Sequence, residues 1–378
     1  MPEPLIESAV PALALSPEAT LLARHLAVSG ATSAPYLAPY QGTLTPQHLD
    51  APEAETGAWI NGAAIHDLGW LRRITVRGED RLRWLSGMVT NTVETLEDRT
   101  GAYNLVLNAQ GRIQGDGYVW RSGEGVELET TVTQAEALLT HFDHFIIMDD
   151  VELAAIEDQS ALGLTGLKTI EILKQLGLPE LAPLSSTETE IAGIPILLRR
   201  SHGVLVPHYG IWTASSQIPA LWQALVTTGA APIGAAAVET LRIVEGVPAY
   251  GTDIQSRDLA QETAQDRAIS FTKGCYLGQE IVERVRSRGQ VHRHLRALEI
   301  TAAGGAEAPA TGTELFLEST AAGSKPMATL TSVATVQLTG HTRIFAIGMV
   351  RAEAEIGNRQ LTYPGGSAQI LHASPILS

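Results

Sequence analysis

Lys273-Gly274-Cys275-Tyr276-Leu277-Gly278-Gln279-Glu280 holds the single cysteine of a 378-residue chain, framed by one lysine and two glycines. One cysteine excludes an intrachain disulfide framework and any CxxC zinc or cluster motif, so a reduced, cytoplasmic setting is the default. Downstream, Gln279 to Ser287 reads as a helix with Ile281, Val282 and Val285 as its apolar stripe. Cys275 therefore falls just ahead of a helix N-terminus. The partial positive charge there and the neighbouring Lys273 lower a thiol pKa, while Glu280 and Glu283 oppose the shift. Gly274 and Gly278 permit backbone geometries closed to other residues. Two readings stay open: a buried thiol packing as a small hydrophobe, or a reachable thiolate at the mouth of a ligand channel.

Outward from this stretch, periodicity divides the chain. Residues 1–64 read as a tail broken by Pro2, Pro4, Pro11 and Pro17, not a signal peptide, followed by a Gly/Ala/Ser/Thr/Pro-rich lead-in wrapped on a surface. Over 65–158 a strand (68–76) precedes a helix with Leu82, Leu85 and Val89 on one side. Strands at 103–107 and 113–120 follow, joined by Asn108-Ala109-Gln110-Gly111, then a strand at 126–132. Thr133 and Glu136 read as a capping box for a helix through Phe145, and 151–156 returns as a strand. This is a β-α-β-β-α-β layer of the split βαβ, ferredoxin-like type. A unit of similar element order fills 159–290, with a strong helix over 233–244 closed by Gly246 and Pro248. From 291 to 378 short β segments between Gly, Ala and Thr turns predict a small antiparallel barrel or sandwich. The fold class is α+β.

Composition limits the partners. With 26 basic and 41 acidic residues the net charge is −15, which gives no general attraction to nucleic acid or anionic lipid. No stretch approaches the roughly 18 apolar residues that a membrane span needs. Residues 257–296 are the exception in charge, with eight basic against five acidic side chains, a local attraction for an anionic ligand or an acidic partner, or a solvated helix face with internal pairing. Glu239, Arg242 and Glu245 recur at three-residue spacing, as in a surface ladder. Asp116, between Gly115 and Gly117 on a strand, is a carboxylate where a ligand could approach backbone, or a bulge residue. His292-x-His294 and His141-x-x-His144 lack the accompanying ligands of a metal site. No GxGxxG, Walker or GxSxG motif is present.

The residues 239–248 (ETLRIVEGVP), 259–263 (LAQET) and 271–290 closely resemble the YgfZ-type folate-binding proteins, relatives of the glycine cleavage T-protein (aminomethyltransferase) family. Lys273 to Glu280 matches that family's KGCYxGQE signature, and Arg77 to Asn91 is similar to its first-domain motif, so the resemblance covers roughly 65 to 365. It implies a three-domain ring of two α+β domains and a C-terminal β-barrel, with tetrahydrofolate or a derivative in a central channel. It also implies a role in assembling or repairing iron–sulfur clusters, including those of tRNA-modifying enzymes, with Fe–S enzymes or assembly factors as partners. By resemblance Cys275 is the functional centre, surrounded by Lys273, Gly274, Tyr276, Gly278, Gln279, Glu280 and Arg284, and folate contact falls to Arg242, Asp116, Asn91 and Tyr209. No resident metal is implied. A lone thiolate cannot close a four-ligand cluster site, so a cluster at Cys275 is transient and shared with a partner.

Two positions depart from the T-protein pattern. An acidic pair is reduced to Gly115-Asp116, and Gly210 stands where relatives carry a pterin-contacting Glu. Fewer acceptors then face the pterin N–H groups, and each donor left unpaired costs about 1–3 kcal/mol. The alternatives carried beside the cluster role are a folate-dependent one-carbon transferase, the form that enzymatic activity would take, and a non-catalytic folate-sensing scaffold.

Overall fold

The computed structural model describes residues 18–28, 35–123, 125–289, 291–304, 306–317, 325–338, 341–357 and 359–377. The Pro-broken stretch expected as a tail, residues 1–17, lies outside the described residues, as does Gln290. The molecule is α+β, with two antiparallel-rich sheets and a closed barrel.

The first sheet orders its strands Gly101–Leu107, Ile113–Ser122, Gly125–Thr131, Leu71–Arg77 and Glu152–Ala155, every neighbour antiparallel. All five strands expected over 65–158 are present, so the element order is β-α-β-β-β-α-β, one strand more than the ferredoxin-like label, with Gly125–Thr131 continuing the meander beside Leu71–Arg77. Helices Arg81–Met88 and Val132–Asp143 cover one face, burying Leu85, Leu138 and Phe142 against Ile74, Val106 and Val119. Gly101–Leu107 is buried along its whole length, since Tyr103, Leu105 and Leu107 pack in a second core on the opposite face. That two-sided burial explains an unalternating apolar strand. Gly78 (φ +102°) turns the chain into the first helix where a Cβ would stand 1.9 Å from the Asp150 carbonyl oxygen. The Thr133/Glu136 box does not form. The second helix starts at Val132, and Gln134 in its first turn reaches back to the Thr131 hydroxyl at 3.0 Å and out to Asp116.

The second sheet runs Ser186–Ile191, Ile194–Arg200, His208–Ala214, Gln159–Thr165, Ala64–Asp67 and Ala231–Pro232. Ala64–Asp67 pairs with Gln159–Thr165 here, so the chain contributes a strand to this sheet before it builds the other. Helices Thr169–Gln175 and Ile218–Thr227 cover its outer face. The lead-in is integral rather than draped. Helix Leu21–Val28, the hairpin Leu37–Tyr40/Thr43–Pro46 and helix Pro52–Asn61 bury Leu22 and Trp59, and Glu55 accepts the Leu49, Asp50 and Gly234 amides. Asp67 accepts the Thr20 hydroxyl and the Gly69 amide, tying this segment to the sheet.

Six strands close the barrel in the order Arg293–Ala302, His341–Arg351, Ala328–Leu338, Glu314–Leu317, Leu361–Tyr363 and Gly366–Ile370. A register shift between Leu330 and Ser332 marks the strand facing helix Ala235–Val244.

A seam of buried charge joins the two sheets. Arg73 grips Glu127 through two bonds of 2.9 and 2.7 Å, and Arg199 from the second sheet donates to Glu127 at 2.6 Å and Glu129 at 2.8 Å. The Arg199 guanidinium lies 4.9 Å from the Trp120 ring centroid, and Trp212 Nε1 donates to Glu129.

Candidate functional site

The loop that carries Cys275 is anchored to the first lobe on both sides of the thiol. The Lys273 ammonium donates to the Ser86, Val89 and Asn91 carbonyls at 2.5, 2.7 and 2.9 Å, where helix Arg81–Met88 ends with unpaired carbonyls. Burial pulls its pKa down to about 8. The Leu277 amide donates to the Gly87 carbonyl, and Tyr276 is buried, which pushes its phenol up to about 12. Gly278 has φ +81°, with the Asn108 carbonyl oxygen 2.6 Å from where a Cβ would stand, so glycine is required there. Gly274 is different: its φ is not in the left-handed region and a Cβ would meet nothing within 4 Å.

Amid these anchors Cys275 is exposed. The buried structural thiol is thereby overturned, and Cys275 is not among the residues that line the cavity described next. The Lys273 charge is directed into backbone carbonyls of the first lobe. Glu280 and Arg284 are exposed and Gln279 half-buried on helix Gln279–Arg288. The basic surplus nearby is partly neutralised: Arg293 pairs with Asp258 and Glu262, Arg296 with Glu355. His294 also pairs with Glu355, and His141 packs against Phe145.

A cavity opens where both sheets meet helix Ala235–Val244. An outer bowl of about 570 Å³ lies between Tyr40, Gln134, Glu239 and Tyr250. A throat of about 180 Å³ shares Tyr40, Gln134 and Tyr250 with it and adds Asp116 and Arg267. An inner chamber of about 250 Å³ shares Trp70, Tyr118, Glu129 and Arg242 with the throat and ends on His66, Tyr209 and Gly210.

The residues expected to contact folate occupy different situations. Asp116 lines the throat and accepts Tyr103 Oη–H at 2.6 Å and Gln134 Nε2–H at 2.9 Å. Burial pushes its pKa up against these bonds and the Arg267 charge. Its flanking glycines serve packing, since a Cβ on Gly115 would meet Gln134 and Leu138, and one on Gly117 the Glu129 carbonyl.

Arg242 reaches the wall but is fully engaged. Nε and one Nη grip Glu239, and the remaining N–H groups go to Ser332 Oγ, the Val247 carbonyl and Asp253. The helix triplet is therefore no surface ladder. Glu245 turns inward, taking the Val204, Leu205 and Val206 amides on one oxygen and His208 Nε2 on the other. Burial works to raise the Glu245 pKa, but His208 and the backbone donors outweigh it and hold the carboxyl below its ordinary value.

Asn91 uses its amide to bind the Tyr103 and Arg267 carbonyls, so it positions other residues. Tyr209 packs in the outer core with its hydroxyl accepting the Leu181 amide, and it reaches the chamber end together with its neighbour Gly210. A Cβ at Gly210 would meet only Leu68 and Trp212, at 3.8 and 3.9 Å.

Sequence reading did not single out Arg267, Trp70 or Tyr118. Arg267 stacks 5.1 Å from the Tyr103 centroid, and its Nε is buried without a hydrogen-bond partner, as is Trp70 Nε1. A cavity walled by aromatic rings, with one raised carboxylate and an arginine whose side chain has no hydrogen-bond or ion-pair partner among the described residues, suits a flat heteroaromatic ring that carries carbonyl or ring-nitrogen acceptors. A reduced pterin has that chemistry, so the residues present fit a tetrahydrofolate.

The GCVT N-terminal domain profile matches residues 25–273, ending two residues before Cys275. An aminomethyltransferase of Rubrobacter xylanophilus is 26% identical over 67% of this chain and 69% of its own length. A mitochondrial iron–sulfur cluster assembly factor homolog of Pyricularia oryzae is 27% identical over 59% of this chain and 54% of its own. A chloroplastic relative from Arabidopsis thaliana, 27% identical over 68% of this chain, is covered over 60% of its length. The crystal structure of glycine cleavage system aminomethyltransferase T from Bartonella henselae superposes with a TM-score of 0.79, covering 94% of this chain and 95% of that one at 18% identity, which establishes the shared fold.

Proposed function

The chain belongs to the GCVT family, and on that premise we propose that it is a reduced-folate-binding protein that assists iron–sulfur cluster assembly or repair through Cys275. The observation that carries this reading is the thiol itself, the single cysteine of the chain, exposed on a loop whose lysine and leucine amide are bonded to the first lobe, whose tyrosine is buried and whose second glycine packs against the Asn108 carbonyl. A rigid loop presents that sulfur at fixed geometry without ordering cost on docking. Its thiolate supplies one ligand, and the partner or a small thiol completes the cluster's set, so the complex is transient. Iron–sulfur enzymes, including those that modify tRNA, are the clients, and the cytoplasm is the proposed compartment. Among the described residues no helix is long and apolar enough to cross a membrane.

In this reading the central cavity holds the folate, with Asp116 accepting a ring N–H and the tyrosine and tryptophan rings excluding water. The bound folate would supply the one-carbon and redox chemistry of its reduced ring. The test replaces Cys275 with Ser in cells under oxidative stress and measures cluster-dependent enzyme activity. A drop of tenfold or more is expected, with the protein's own folding unchanged because the thiol is exposed. Wild-type client activity would sink the proposal.

The aminomethyltransferase relative and the placement of Asp116 in the throat favour a second reading, folate-dependent one-carbon transfer. Loss of turnover in Asp116→Asn with Cys275→Ser harmless would select it. Binding to acidic partners that falls with salt and is indifferent to the thiol would select the scaffold.

A further inference from the structure

Two arginines line the throat of the cavity, and they differ in what they have left to give. Arg242 has five N–H groups and five acceptors inside the protein: two Glu239 oxygens, Asp253, the Val247 carbonyl and Ser332 Oγ. It has nothing to offer a ligand unless those bonds break. Arg267 makes no side-chain hydrogen bond or ion pair to any described residue, and its Nε is buried.

An unpaired Nε alone is not diagnostic, since Arg199 in the seam shares it, but Arg199 gives its terminal nitrogens to Glu127 and Glu129. Arg267 is also held firmly. Its carbonyl accepts Asn91 Nδ2–H at 2.8 Å, and the next carbonyl, of Ala268, accepts the Thr90 hydroxyl at 2.6 Å.

Tyr103 sets the geometry. Its hydroxyl donates to Asp116 while its ring face carries the Arg267 guanidinium, so an acceptor and a donor group flank one ring without pairing with each other. Such a pair offers an acceptor and a cationic donor to the same ligand in the throat.

We propose that Arg267 and Asp116 together recognise a cyclic amide edge, a ring N–H beside a ring C=O, with Arg267, not Arg242, as the cationic contact of this cavity. The proposal rests on the folate reading and specifies it: the pyrimidinone edge of a 4-oxo pterin has this pattern, and a 4-amino pteridine inverts it.

The test is calorimetric titration of the full-length protein with 5-formyltetrahydrofolate, and with folic acid against aminopterin, which differ at that edge. Arg267→Met keeps the stacked stem and removes the donors. Loss of a charge-assisted hydrogen bond predicts roughly 10- to 100-fold weaker folate binding, with Arg267→Lys in between. Wild type should prefer folic acid to aminopterin by about tenfold or more, and Arg267→Met should lose most of that preference. Equal folate binding by wild type and Arg267→Met overturns the proposal and leaves the folate reading standing, as does a preference for aminopterin. Absence of any folate binding by wild type overturns both. A fall in melting temperature of Arg267→Met by more than about 5 °C would make the residue structural, and overturns the assignment too.

Discussion

The seam between the sheets and the throat beside it are built from the same parts, an arginine stacked on an aromatic ring near carboxylates, yet they are finished differently. In the seam Arg199 lies on Trp120 and meets two glutamates, and Arg73 meets Glu127 twice. In the throat Arg267 lies on Tyr103 and meets none, while Asp116 takes neutral donors. Glu129 touches both regions, anchored by Arg199 and Trp212 yet lining the cavity. Burial alone therefore does not separate structural charge from ligand-reading charge. The state of the terminal donors does: paired groups hold lobes together, and unpaired groups on a cavity wall await a partner from outside.

Three substitutions can break or sharpen this contrast. Arg199→Met should be the most damaging, because it leaves buried Glu129 with only the Trp212 N–H and half-buried Glu127 with Arg73 alone, at a cost of about 3–5 kcal/mol in urea unfolding. The same pairing sets an acid limit. Burial works to raise Glu127, but Arg199 and Arg73 outweigh it and hold its pKa below the ordinary value. The stabilisation is complete above the usual glutamate range and is lost as pH falls through the depressed pKa, so the wild-type urea midpoint should drop on acidification more steeply than that of Arg199→Met.

Arg242→Met comes next, at about 2–3 kcal/mol, because Asp253 keeps the Ala249 amide and the Thr331 and Ser332 hydroxyls as donors. A cost as small as that of a surface change would mean Arg242 is free to serve a ligand after all.

The smallest effect has the opposite sign. Burial pushes Asp67 up to about 6, with no cation beside it among the described residues. Protonated, it fits the fold, and its contribution is full below pH about 4 and lost as pH rises through 6. Asp67→Asn should therefore match wild type near pH 4 and exceed it by about 1–2 kcal/mol above pH 7. A melting temperature that rises at no pH would show that the Thr20 and Gly69 bonds already satisfy the charge.

Much of this architecture is written in local pattern. The apolar stripes of Gln279–Arg288 and Ala235–Val244, the hairpin at Asn108 to Gly111 and the alternating segments of the barrel were legible because each depends on its own neighbours. What depends on distant partners was not. Ala64–Asp67 is buried on both faces, so no alternation tells which sheet receives it. Gly274 and Gly278 look alike in sequence, and what separates them is the left-handed backbone of Gly278 and the close approach of Asn108 to it. The lead-in lacks clean periodicity because its short elements bury single residues such as Trp59 against other segments. Arg267 was counted as charge and nothing more, since its role is defined by acceptors it does not have, and its placement by Thr90 and Asn91, more than 170 positions away in the chain.

The fastening of the Cys275 loop has a practical corollary. A maleimide spin label or dye would attach at one native position without any engineered substitution, and because the loop moves with the first lobe, the probe would inherit that lobe's motion rather than a tether's. Paired with a second tag on the barrel, it becomes a ruler for whether filling the cavity draws the lobes together, a displacement that the Arg242–Asp253–Ser332 clasp would have to transmit or resist.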